Sequence, residues 1–198
     1  MNCGPGTVMR PGGTRETLCC PVCGGETRRA ALPLFVVAGV SGSGKTTMVE
    51  ALRSRLSEVE IFDADVILHI AALGWETFGN TWLQLAGAIA LNGRPTLLCG
   101  TLTPEQLVNL PGRGLIGPIH FCLLDPGHEV ITTRLRARPA WRGSTEEFIA
   151  QQAGFAESLR TQITPVFDTA TLTVADTADA IAGWARRLLS DTGVVTGR

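Results

Sequence analysis

The chain has 198 residues, of which 44% are apolar and 18% charged, with a formal net charge of −1. This is material for one domain with its own core and a modest appendage. So balanced a charge gives no ground to expect a nucleic-acid or membrane partner, and no apolar stretch is long enough to span a bilayer.

Residues 1–32 carry many Gly, Pro, Thr and Arg residues and little apolar periodicity. They are expected to form an appendage or a partly disordered tail. Residues 1–15 are polar and Gly/Pro-rich, unlike a signal peptide, and a cytoplasmic location is expected. Four of the six cysteines, Cys3, Cys19, Cys20 and Cys23, lie in this stretch. Cys20-Pro21-Val22-Cys23-Gly24-Gly25 has the form of half a zinc knuckle, two thiolates on a tight turn. A Zn²⁺ site would take Cys20, Cys23, Cys3 and a further ligand, or be shared between two chains. The alternative is an exposed, redox-sensitive tail. Cys99 and Cys122 lie inside apolar runs and are expected to be core thiols.

From residue 33 to 190 short apolar runs alternate with helical patterns, an α/β signal, and residues 191–198 form a tail. Strands are expected at 34–38, 60–63, 96–99, 119–124 and 171–174. Helices are expected at 48–56, 77–91, from Pro104, and at 129–138, 144–162 and 176–189. Ser144-Thr145-Glu146-Glu147 contains a capping-box pattern. Helical crossovers between the strands imply one parallel sheet covered on both faces.

Between the first strand and its helix stands Gly39-Val40-Ser41-Gly42-Ser43-Gly44-Lys45-Thr46, followed by Thr47. Strand, G-x-x-x-x-G-K-[ST], helix is the P-loop (Walker A) in its required context. The glycines let the backbone curl so that its N–H groups face an anion, and the helix adds its positive end. Lys45 would reach the β- and γ-phosphates of ATP, with the Thr46 hydroxyl on Mg²⁺.

Asp63-Ala64-Asp65 ends the second strand, where α/β folds place ligands. One carboxylate there could hold Mg²⁺ and the other accept a proton from an attacking hydroxyl. Asp65 could equally cap the helix that follows. Arg134 and Arg138 are four apart and share a helix face, with Arg136 and Arg142 nearby; such arginines also occur on solvated faces. Trp75 follows Gly74 in an expected loop and is a pocket candidate, whereas Phe78 and Trp82 fit core packing.

The succession of this P-loop, 61–65 (IFDAD), 95–107 (PTLLCGTLTPEQL) and 120–141 (HFCLLDPGHEVITTRLRARPAW) resembles the small-molecule kinases of the P-loop superfamily. Gluconate kinase and shikimate kinase are the nearest patterns; adenylylsulfate kinase and chloramphenicol phosphotransferase are relatives. The resemblance spans roughly residues 34–190. It implies the P-loop NTP hydrolase fold, a three-layer sandwich with a five-stranded parallel sheet in the order 2-3-1-4-5. It further implies that Asp63 supports Mg²⁺ and that Asp65 is base and acceptor ligand. Gly100 and Thr101 would face the substrate, Trp75 would line the acceptor pocket, and Arg138 and Arg142 would form a lid over the γ-phosphate. The third strand ends in Cys99-Gly100-Thr101 without an acidic residue, which departs from motor-type ATPases.

The expected activity is ATP-dependent phosphorylation of a hydroxyl on a small metabolite or antibiotic. Rivals on the same core are a nucleoside or nucleotide kinase, a polynucleotide 5′-kinase, which the near-neutral charge disfavours, and an ATP-binding regulatory protein without phosphotransfer.

Overall fold

The computed structural model describes residues 10–11, 17–28, 31–139, 141 and 144–191. In chain order the elements are β1 (Arg10–Pro11), β2 (Thr17–Cys19), β3 (Glu26–Arg28), β4 (Leu34–Ala38), α1 (Lys45–Arg53) and β5 (Glu60–Asp63). A 3-10 segment (Ala64–Leu73), α2 (Trp75–Ala90), β6 (Thr96–Gly100), α3 (Pro104–Val108) and a second 3-10 turn (Pro111–Leu115) follow. The chain continues through β7 (Ile119–Leu124), α4 (His128–Arg136), α5 (Glu146–Gln162), β8 (Val166–Phe167) and α6 (Val174–Asp191). Among the described residues no helix is long and apolar enough to cross a membrane.

Five strands form one parallel sheet in the order β5-β6-β4-β7-β8. Numbered along this sheet alone, the order is 2-3-1-4-5, as expected. β4 is an unbroken apolar run because it is central and covered on both faces. Its alternate residues serve two cores. Leu34, Val36 and Ala38 pack with Phe78, Trp82, Leu83 and Ile131. Phe35 and Val37 pack with Met48, Leu52, Ile181 and Trp184 from α1 and α6. Both core cysteines are fully buried, and burial pushes each thiol far above its ordinary pKa.

The chain runs outward from β4 to β5 on one side, then crosses to β7 and β8 on the other. The carboxyl end of β4 is therefore a topological switch point, the place where such sheets open a crevice.

Three expectations change. The fifth strand is Val166–Phe167, paired with Leu123–Leu124, and not 171–174. Thr171 instead belongs to a turn in which Asp168 accepts hydrogen bonds from the Ala170 amide and the Thr171 hydroxyl. Thr173 then accepts from the Asp176 amide at the start of α6. Secondly, part of the expected tail is a small antiparallel sheet, β1-β2-β3. The Cys20–Gly25 stretch is its hairpin turn: the Cys20 amide donates to the Gly25 carbonyl and the Gly24 amide to the Cys20 carbonyl. Thirdly, α5 is capped by Thr145, which accepts from the Phe148 amide, one residue later than the expected Ser144 box.

Candidate active site

The loop after β4 closes because Gly42 and Gly44 sit at φ 88° and 104°, left-handed conformations that side chains disfavour. The Lys45 ammonium is buried and donates to the Val40 carbonyl at 2.9 Å. Burial lowers its pKa, while the carboxylates of Asp65 and then Asp63 act in the opposite sense. The Ser43 hydroxyl is buried beneath the loop, where a Cβ on Gly39 would stand 2.4 Å from it, so Gly39 must lack a side chain.

β5 delivers its carboxylate to this loop. The Thr46 hydroxyl donates to Asp63 Oδ2 at 2.9 Å, and the Asp65 amide donates to Asp63 Oδ1 at 3.0 Å. Asp63, not Asp65, is thus the N-cap of the following 3-10 segment. Both Asp63 oxygens are engaged, one of them by Thr46. Hydroxyl and carboxylate oxygens so close together are hard donors that fit Mg²⁺. Asp65 is left free of the capping task. Desolvation raises its pKa, Lys45 pulls it down, and Asp63 raises it further.

α4 and α5 approach the loop from above. Arg138, just past the end of α4, donates to the Ser41 hydroxyl at 2.9 Å. Arg134 donates to the Gly42 carbonyl at 3.1 Å and to the Thr169 carbonyl at 2.9 Å. From α5, Gln152 Oε1 accepts a 2.8 Å hydrogen bond from the Ser41 amide. Arg136 points elsewhere, into an exposed ion pair with Glu146.

Two cavities flank these groups. The first, of about 610 Å³, is lined by residues 41–48 together with Asp65, Arg134, Arg138, Thr169, Leu172, Val174 and Thr177. The second, of about 450 Å³, is lined by Leu68, Trp75, Thr101, Gln106, Phe148, Gln152 and Phe155. Ser41, Lys45 and Asp65 line both. An ammonium and a carboxylate therefore stand where the contents of one cavity meet those of the other.

The structure brings Ser41, Gly42, Ser43, Gly44, Lys45, Thr46, Thr47, Asp65 and Arg138 to the first cavity. Gly39 lies at the base of the loop, its carbonyl accepting from Thr101 Oγ1 at 3.4 Å. Trp75 and Thr101 reach the second cavity. Gly100, expected to face the substrate, is not among its lining residues. A Cβ there would stand 2.4 Å from the Ala64 Cβ, so this glycine makes room for the turn that carries Asp63 and Asp65. Phe78 and Trp82 are core residues, Trp82 donating to the Ala64 carbonyl at 3.2 Å. Arg142 and Cys3 lie outside the described residues. Among the described residues no group of three or more His, Cys, Asp or Glu side chains is placed to hold a metal ion, so the Zn²⁺ expectation gains no support.

Other residues at the site were not singled out from the sequence. Leu172 and Val174 lie in the run expected to be a strand, Gln106 lies in the 95–107 segment without a role assigned to it, and Thr169, Phe148, Gln152 and Phe155 carry no motif. Arg134 stands four residues before Arg138, a spacing that could have placed it. Asp125, which follows β7, forms a two-armed pair with Arg160 and lines neither cavity.

No family model matches the sequence, and no curated protein does. Solved structures do resemble it. A sugar kinase from Janibacter sp. is 21% identical, with a TM-score of 0.54 over 83% of this chain and 96% of that one. A gluconokinase from Sinorhizobium meliloti is 20% identical, with a TM-score of 0.55 over 83% of this chain and 97% of that one. A shikimate kinase from Acinetobacter baumannii, solved with shikimate, is 19% identical, with a TM-score of 0.53 over 82% and 96%. This chain has their fold, a P-loop α/β sandwich around a five-stranded parallel sheet.

Proposed function

We propose that this protein transfers the γ-phosphoryl group of ATP to a hydroxyl of a small molecule. The observation that carries this reading is the meeting of two cavities at Lys45 and Asp65. A protein that only bound or hydrolysed a nucleotide would need the first cavity alone. The kinases that share the fold support the same reading.

ATP would lie in the first cavity, with the loop amides and Lys45 around its phosphates. To meet the γ-phosphate, Lys45 must leave the Val40 carbonyl. Its burial makes the exchange of a carbonyl for a phosphate oxygen favourable, since a dianionic partner offsets desolvation better than a neutral one. Thr46 and Asp63 would hold Mg²⁺, which neutralises charge on the β- and γ-phosphates. Asp65 would accept the proton of the attacking hydroxyl, its raised pKa bringing it closer to that task than an ordinary aspartate. Arg138 and Arg134 would neutralise charge on the phosphoryl oxygens from above. Residues 33–190 would form the kinase domain and 1–32 its appendage, a division supported by the separate pairing of β1, β2 and β3.

The test is ADP release with ATP and Mg²⁺ against a panel of sugars, sugar acids, nucleosides and aminocyclitols. At least one acceptor should raise ADP release well above the rate with water alone. Asp65→Asn should reduce that stimulated rate by about 10²–10⁴-fold. Stimulation by no acceptor, or an Asp65→Asn variant with full stimulated activity, would overturn the proposal.

A further inference from the structure

We infer that the acceptor is an uncharged hydroxyl compound carrying a flat aromatic ring, and not a carboxylate or phosphate such as a sugar acid or a nucleotide. The inference rests on the kinase reading for the hydroxyl and on the second cavity for the rest.

Three aromatic side chains, Trp75, Phe148 and Phe155, line this cavity, together with Leu68. Trp75, 46% exposed, meets the buried Phe78 edge-on, with ring centroids 5.6 Å apart. Rigid aromatic faces bury a flat ring at little entropic cost.

The charges of the cavity are as informative. Among its described lining residues the only ionisable ones are Lys45 and Asp65. Lys45 also lines the phosphate side and is needed there. A carboxylate on the acceptor would thus stand near Asp65 with no cation of its own among the described lining residues, an unfavourable arrangement. Arg113 donates to the carbonyls of Ile116 and Gly117, Arg160 is paired with Asp125, and Arg138, bound to the Ser41 hydroxyl, lines the phosphate side.

The remaining polar groups suit neutral oxygen atoms. Gln106 Oε1 accepts from the Thr103 amide, and Gln152 Oε1 accepts from the Ser41 amide. Each glutamine therefore retains its Nε2 as a donor, beside the Thr101 hydroxyl. Two amide donors and a hydroxyl recognise hydroxyl, ether or carbonyl oxygens. Gln152 also ties this recognition to the loop, because its other end holds a P-loop amide.

The experiment measures binding as well as turnover, so that the two readings fail separately. Full-length protein with Mg²⁺ and a non-hydrolysable ATP analogue is titrated calorimetrically with three sets of compounds. These are neutral aromatic alcohols (nucleosides and aryl glycosides), the carboxylates gluconate and shikimate, and nucleoside monophosphates. The same compounds are then assayed for phosphorylation with ATP. At least one neutral aromatic alcohol should bind tenfold or more tightly than any anion, and Phe155→Ala should weaken it by roughly tenfold. Phe155→Arg should shift the preference toward carboxylates. Tighter binding or faster phosphorylation of an anion would overturn the acceptor class while leaving the kinase reading intact. Binding of a neutral aromatic alcohol without phosphorylation of any compound would overturn the kinase reading and leave the cavity assignment standing. Failure of all three sets to bind would overturn the inference.

Discussion

Asp63 and Asp65 are two residues apart and do different work. Asp63 commits its oxygens to the Thr46 hydroxyl and to the Asp65 amide. Asp65 faces both cavities, and desolvation raises its pKa. If it accepts the acceptor's proton, kcat should rise with pH as Asp65 ionises, with a midpoint above the ordinary aspartate value. The Asp65→Asn variant should lose that limb of the profile. Stability should move the other way. The folded state binds this proton more tightly than the unfolded chain, so stability falls as pH rises from the unfolded to the folded pKa. At neutral pH the nucleotide-free Asp65→Asn variant should therefore melt at a higher temperature than the parent in calorimetry. The pair was legible in the sequence because both residues lie in one short segment. Which of the two caps the turn was not legible, since an N-cap depends on backbone angles and both residues are aspartates.

At the scale of elements, α4 and α5 bring Arg138, Arg134 and Gln152 onto one loop. Arg134 lies on α4 and Arg138 just past its end, and their spacing of four was legible in the sequence. Gln152 stands 111 positions from Ser41 in the chain, with no motif around it. Only the packing of α5 against α4 puts it there. Arg138→Ala should lower kcat by about tenfold to a thousandfold, as for other groups that neutralise transferred charge. Arg136→Ala should leave kcat unchanged, because its partner among the described residues is an exposed glutamate on α5. The end of β6 makes a second prediction. Gly100→Ala would put a methyl into the Ala64 side chain and should destabilise the fold by about 1–3 kcal/mol. It should also displace the turn bearing Asp65, so both melting temperature and kcat should fall. The fifth strand escaped the sequence because two residues have no readable period, whereas Thr171-Leu172-Thr173-Val174 alternates like a strand. The turn at Asp168 and the cap at Thr173 outweigh that alternation.

Across the whole molecule, the sheet separates two cores and carries the site at one end. The pair of Asp125 and Arg160 joins β7 to α5 on that scale. The Arg160 guanidinium holds the Asp125 carboxyl below its ordinary range, assisted by the Gly127 amide. A depressed carboxylate contributes stability above its unfolded pKa and loses it as pH falls through the folded one. Asp125→Asn should cost about 1–2 kcal/mol at pH 7, after allowing for screening at the more exposed arginine. That corresponds to roughly 2–8 °C in melting temperature. The difference from the parent should shrink as the buffer is acidified below about pH 4, where the unfolded carboxyl begins to protonate.

What the sequence determined by itself was local or periodic. The phosphate loop is contiguous, and its glycines, lysine and threonine need only a strand before and a helix after. The central strand β4 announces itself as an unbroken apolar run, because both of its faces are covered. The sequence offered Trp75 and Thr101 for the second cavity, and the tertiary structure alone decided what joins them there. Leu68, Trp75, Thr101, Gln106, Phe148, Gln152 and Phe155 come from the 3-10 segment, α2, the β6–α3 connection, α3 and α5. No period or motif relates residues so far apart. Their meeting follows from strand order and helix packing, and it is this meeting that selects what stands opposite the phosphate.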